Sequence, residues 1–247
     1  MYIDEGYSFE AFGVELTIEI KQELYPMDPR RESDNMGTMY AEHRRYTLGD
    51  KDADPPYVDD WDRWDNEIRR LRPEIALIVP LYFHDHSLIG MSAGTPYYYQ
   101  DTRGRLFAMT RSGARKRADK QDWDHGTPMW IYLTRDTLLH EYGGLRVTKN
   151  KLARAIKCLL GEVETYNSYL EGDVYGYVIE DENGEHLDSC WGFYGWEWCE
   201  TEAKDVARHF ALEIARDRIG DHLADLHAAG QKHLKSMAVT ERLHAYC

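Results

Sequence analysis

Three short segments hold the residue types that could do chemistry. His84, Asp85 and His86 follow an apolar run, Ile75 to Phe83. Strand side chains alternate, so His84 and His86 would point to one side. Such a His-x-His pair is half of a metal site, and His86 could instead act as a general base. Two histidines at a strand end are more often structural or exposed than ligands. The missing half of a metal site is not evident, since Asp124, His125 and Asp173 lie far off in sequence; no metal and no cofactor is expected. His86, Asp85 and Asp124 are the catalytic candidates. Arg44 and Arg45 are adjacent and could clamp an anion bidentately, or pair with neighbouring acids and tie down an irregular segment. Cys190 lies between Ser189 and Trp191 with no Lys or Arg nearby. A nucleophilic thiol needs a cationic or basic neighbour, so a buried, inert Cys190 is expected, and His186 alone makes no dyad. The chain lacks G-x-x-x-x-G-K-[ST], G-x-G-x-x-G and H-E-x-x-H, which removes several readily recognised enzyme classes.

Charge is the strongest feature. The net charge is −14, which disfavours nucleic acid and anionic membranes as partners. Between Glu162 and Glu202 there are twelve carboxylates and no Lys or Arg. Glu171, Asp173, Glu180, Asp181, Glu182, Glu185 and Asp188 could form a surface that steers a basic partner. Trp196 and Trp198 could add exposed aromatic contact area, while Trp191 and Phe193 are expected to fill the core. Against this background Arg103, Arg105, Arg111, Arg115, Lys116, Arg117 and Lys120 face only Asp101 and Asp119. That basic stretch is either a solvated excursion or an arm for phosphate or acid.

The elements that must position these residues are mixed. Phe12, Val14, Leu16, Ile18 and Ile20 alternate with polar residues, a half-buried strand with an acidic outer face. Residues 30–54 read as polar and irregular. Trp61, Trp64, Ile68 and Leu71 share a helical stripe over 59–71. Ile75 to Phe83 reads as a strand that Pro80 keeps from a central position. Tyr97–Gln100 and Arg105–Thr110 could pair as a hairpin, and Met129–Leu133 is another strand. Thr134 can cap a short helix and Thr148 a longer one to Gly172. Val174–Glu180 and Glu185–Phe193 read as a hairpin across Asn183-Gly184, both of which would take positive φ. A long helix follows from Thr201 toward Leu234. The predicted fold is α+β: a small mixed or antiparallel sheet with hairpin 174–193, packed by helices near 59–71, 148–170 and 201–234. One acidic domain over 1–247 is expected, with a basic inserted loop at about 100–121. The four cysteines fit reduced thiols. No apolar run reaches the roughly 20 residues of a membrane helix, and the acidic N-terminus does not read as a secretory signal.

The segments PRRESDNMGTMYAEHRRYTLGD (Pro29–Asp50), LYFHDHS (Leu81–Ser87), DWDHG with MWIYLT, and LEGDVYGYVIEDENGEHLDSCWGFYG (Leu170–Gly195) resemble a family of uncharacterised bacteriophage-encoded proteins. The resemblance runs from about Pro29 to about Phe210 and implies an origin rather than a chemistry. Two departures stand out: Tyr97–Gln121 reads as an insertion, and His125 stands where the family has serine. The polar residues within the shared blocks are His43, Arg44, Arg45, Asp50, Asp85, His86, Asp124, Asp173 and Asp188.

A phage origin makes counter-defence a natural role. The first expectation is a non-enzymatic inhibitor of a host restriction or CRISPR-type effector, acting in the host cytoplasm as an acidic mimic of DNA. Its partner would be a host defence protein with a basic surface. Membrane contact is not expected, and nucleic acid contact only through the basic loop 103–120. The alternative is an enzyme or ligand-binding protein in which Arg44, Arg45, Asp85, His86, Asp124 and Asp173 line a pocket for a nucleotide or metal.

Overall fold

The structure is a computed structural model and describes residues 4–41, 43, 45–50, 75–85, 89–94, 97–100, 105–108 and 129–244. In chain order its elements are β1 (Asp4–Ala11), β2 (Val14–Gln22), α1 (Pro29–Glu32), β3 (Thr38–Tyr40), β4 (Ile75–Asp85), β5 (Ile89–Ala93), β6 (Tyr97–Gln100) and β7 (Arg105–Ala108). There follow β8 (Met129–Thr134), α2 (Arg135–Tyr142), α3 (Lys149–Glu171), β9 (Val174–Glu180), β10 (His186–Tyr194) and α4 (Trp196–His244). The fold is α+β. Where one domain and one sheet were expected, the chain packs as two compact units with separate sheets, 24–174 and the two ends together. The helix expected at 59–71 lies outside the described residues.

The unit built from both chain ends holds a four-stranded antiparallel sheet in the order β1-β2-β9-β10. Val14, Leu16, Ile18 and Ile20 alternate inward, as the period of two predicts. They meet Tyr175, Tyr177 and Ile179 and a helix stripe of Cys199, Ala203, Ala207 and Ala211, all buried. Small residues at every fourth position let α4 lie close to the larger side chains of the sheet. β1 is an addition to the sequence reading, although Tyr7, Phe9 and Ala11 alternate in it. Phe12 belongs not to β2 but to the two-residue turn before it, where Phe12 and Gly13 have φ 54° and 72°. The strands of the second hairpin fall as predicted, but its turn differs. Only Gly184 has positive φ. The Gly184 N–H donates to the Asp181 carbonyl, while the Asp181 carboxylate accepts from the N–H groups of Asn183 and Glu185. Those bonds hold its pKa below the usual value.

Unit 24–174 holds a second antiparallel sheet, β3-β8-β4-β6-β7, with β5 also on β4. Contrary to the argument from Pro80, β4 is central. Its far edge is divided between two partners: Ile78 pairs β6 and Leu81 begins the pairing with β5. Pro80 sits at that junction, and its carbonyl accepts from Gly94 N–H. Helix α3 covers the sheet with Leu152, Ala155, Leu159, Val163 and Tyr166. Thr148 accepts from Lys151 N–H at one end, and Gly172 closes the other in the left-handed conformation. Thr134 caps α2 in the same way.

Candidate functional site

Much of the polar sequence between Pro29 and Asp50 serves a single buried arginine. Arg30 follows Pro29 in the first turn of α1, whose N-cap is Asp28, and its side chain is 1% exposed. Its Nε and Nη2 donate to both Asp50 oxygens at 2.8 Å. Nη1 donates to Glu162 at 2.7 Å and Asn35 at 3.0 Å, and Nη2 also donates to the Gly37 carbonyl. Burial disfavours the guanidinium's charge, but the bonds and charges of Asp50 and Glu162 outweigh it and raise the pKa. Glu162 accepts further from Met36 and Gly37 N–H, and Asp50 from Met39 N–H. Gly37 passes so close to Leu159 and Ile131 that a Cβ there would sit 2.3 Å from Leu159. Gly49, at φ +63°, donates to the Tyr166 hydroxyl. Asp50 is therefore a brace, not a ligand-binding group.

A second polar cluster gathers on Asp85, at the end of β4. The Arg45 Nη1 and the Tyr46 hydroxyl each lie 3.5 Å from its carboxylate, and His43 Nε2 lies 4.0 Å away. The His43 ring stacks on Tyr46 and leans on Phe83. Its Nδ1 accepts from Arg45 N–H, which leaves the neutral ring's proton on Nε2, facing Asp85. His84 points elsewhere and meets Ser92. Of the sequence candidates, Asp85 and Arg45 thus come together with His43. Arg44, His86 and Asp124 lie outside the described residues, as do Arg103, Arg111, Arg115, Lys116 and Arg117; Arg105 is described only as backbone of β7. Among the described residues no group of three or more His, Cys, Asp or Glu could hold a metal ion.

The acidic run is divided between the two units. Glu162, Glu164, Glu171 and Asp173 belong to unit 24–174 and the other eight carboxylates to the other unit. Several are engaged: Glu162 by Arg30, Glu182 by Arg218 at 2.9 Å, Glu200 by Lys204, Asp181 by its own turn, and Asp188 by the Tyr177 hydroxyl. Asp173 is half-buried beside the cap of α3. Glu171 lies against Gly90 of β5 together with Asn167, whose side chain accepts from Met91 N–H. Glu180 and Glu185 remain free of any such bond to a cation among those described.

Strand pairing gathers other carboxylates that the sequence reading left out of the site. Residues directly opposite on neighbouring strands share a face. Opposite the buried Val14–Ile20 series, the outer face carries Glu15, Thr17, Glu19 and Lys21 on β2. Across from these lie Glu10, Ser8, Gly6 and Asp4 on β1, and Glu180, Val178 and Gly176 on β9. Five carboxylates stand there against one ammonium, and Lys21 is held by Glu19. Glu10 and Glu15 are direct cross-strand partners, both exposed. Trp191 lies on this face too, its ring over Gly176, where a Cβ would come within 2.2 Å. It is 46% exposed, not buried as expected. Phe193 does pack inward, on Tyr177. Trp196 packs edge-on against Tyr175, while Trp198 is exposed as its position beyond the strand predicted.

Three thiols are described, and that of Cys158 donates to Glu162 at 3.8 Å. Cys190 is exposed rather than buried. Burial pushes Cys199 up to about 12 and raises Cys158 as well, with Glu162 adding to the effect. No family model, curated protein or solved structure matches this chain. No helix among the described residues is long and apolar enough to cross a membrane.

Proposed function

We propose that this protein is a non-enzymatic binding protein whose acidic sheet face docks on a cationic surface of a partner protein. One observation carries the reading: the outer face of β1, β2 and β9 holds five carboxylates and one ammonium beside a half-exposed Trp191. Like charges directly opposite on neighbouring strands lower stability, so the face is retained at a cost to folding. Fixed carboxylates steer a basic partner and stand in for the phosphates of nucleic acid. An indole among them supplies apolar contact and a face for cations. The resemblance to phage proteins points to a host defence protein that handles nucleic acid, of restriction or CRISPR type. The test is binding to purified basic effectors over a salt series. Affinity should fall steeply with salt and with Glu15→Lys/Glu19→Lys. Salt-independent binding, or none that responds to those changes, refutes it.

The convergence of His43, Arg45 and Tyr46 on Asp85 favours a second reading, a small-ligand site for a nucleotide or metal. Calorimetric titration of nucleotides and divalent cations into the wild type and Asp85→Asn tests it; no heat that Asp85→Asn abolishes leaves this reading without support.

A further inference from the structure

Trp191 is held on the acidic face by the backbone of two strands. Residues two apart on a regular strand share a face. Yet Phe193 packs inward on Tyr177, while the Trp191 ring lies outward over Gly176. Gly192 stands between them at φ 89°, a conformation that suits glycine alone. A local irregularity of this kind re-aims a side chain. A Cβ at position 176 would come within 2.2 Å of the ring, so glycine is also what lets the indole lie against β9. One side of the ring is thereby covered, and its 46% exposure belongs to the other.

A sixth carboxylate joins it from outside the strands. Glu23, just beyond β2, accepts from the Gly192 N–H at 3.1 Å. That bond sets a half-buried carboxylate one residue from Trp191, and no cation pairs with it among the described residues. The nearby ammonium, Lys21 opposite Gly176, is held by Glu19 and has Asp4 across from it on β1. A cation placed beside an indole and a carboxylate is recognised twice, by the ring face and by the charge. Arginine suits this pair better than lysine. Its planar guanidinium stacks on an aromatic face, is more weakly hydrated, and still donates from its edge to a carboxylate. A nucleobase also stacks on indole, but the phosphates that come with it meet five carboxylates of the same sign.

We propose that Trp191 and Glu23 form the seat for an arginine side chain of the basic partner, an inference that rests on the acidic-face reading above. Two labelled hexapeptides, one alternating arginine with glycine and one lysine with glycine, test it by fluorescence anisotropy at moderate salt. The arginine peptide should bind the wild type about threefold more tightly than the lysine peptide. Trp191→Ala and Glu23→Gln should each abolish that preference. Glu23→Gln keeps an acceptor for the Gly192 N–H, so its thermal unfolding should stay in place, which separates a lost seat from lost folding. Glu10→Lys/Glu15→Lys, toward the other end of the face, should weaken both peptides and leave the preference. Equal binding of the two peptides overturns the proposal. So does a preference that survives Trp191→Ala or Glu23→Gln, or tighter binding of a single-stranded oligonucleotide than of either peptide. If both peptides bind equally and weaken with salt, the acidic-face reading stands without this seat; if neither binds, both fall.

Discussion

The most direct test of the fold's polar framework is Arg30→Met. Methionine keeps the apolar stem but removes the donors that hold Asp50, Glu162, Asn35 and the Gly37 carbonyl. Breaking a buried pair by deleting one partner costs about 3–5 kcal/mol. Here the lower end applies, because Met36, Gly37 and Met39 N–H groups still hold the two carboxylates. A loss of about 3 kcal/mol corresponds to a fall of roughly 6–12 °C for a unit of this size. Urea denaturation followed by circular dichroism reads the change. Arg30→Lys should fall between, since an ammonium keeps charge but not the planar fork. Arg30→Met/Glu162→Gln should cost less than the two single changes together, because both remove parts of one network. A loss below about 1 kcal/mol for Arg30→Met, or simple additivity in the double variant, would refute the assignment of Arg30 as the organising group.

Three further outcomes follow from the same geometry. Glu10→Lys turns a like-charge cross-strand pair with Glu15 into an attractive one, so thermal stability should rise by about 0.5–1 kcal/mol while affinity for a basic partner falls; a change in which both move the same way contradicts the functional reading. Burial raises the Tyr166 hydroxyl to about 12, so its contribution is intact below the ordinary tyrosine value near 10 and is lost as pH climbs toward 12. Stability measured across that window should drop by about 2 kcal/mol or less, and Tyr166→Phe should flatten the drop while costing the Gly49 bond at neutral pH. Ala207→Leu should overpack the seat of α4 on its sheet and cost about 1–3 kcal/mol by chemical denaturation; a neutral result would mean that the helix does not lie as close as the buried alanines imply.

Local patterning was readable wherever a side chain's own neighbours decide its state. The alternation in β2, the cap residues Thr134 and Thr148, the glycine closing α3 and the apolar spacing of α4 each act within a few residues. What escaped was set by partners far along the chain. Pro80 argued for an edge because a proline cannot donate; the argument fails at a junction between two partner strands, which only the sheet order reveals. Arg30 read as one of several charges in an irregular segment, and nothing near it in sequence announces Glu162, 132 residues away. Asp50 stood out only as a polar residue of the shared blocks, for the same reason. His43, Arg45 and Asp85 do meet, because the loop before Leu48 returns to the end of β4, although His43 was singled out only through the resemblance.

The acidic run shows how the fold redistributes charge counted along a sequence. Twelve carboxylates in a row suggested one face, but the chain passes from one unit to the other within the run, near Val174. Ion pairs, turn bonds and the Tyr177 hydroxyl then occupy five of the twelve: Glu162, Asp181, Glu182, Asp188 and Glu200. The negative charge that stays open is assembled by register instead. Glu10 and Glu15 face each other because Ala11 pairs Val14 around a two-residue turn, and Glu180 joins them because Thr17 lies opposite it. A one-residue slip in either pairing would turn these carboxylates inward and expose Leu16, Ile18 and Ile179 in their place. The same apolar burial that fixes the register of β1, β2 and β9 therefore fixes the charged face, and a partner reading that face reads the strand pairing itself.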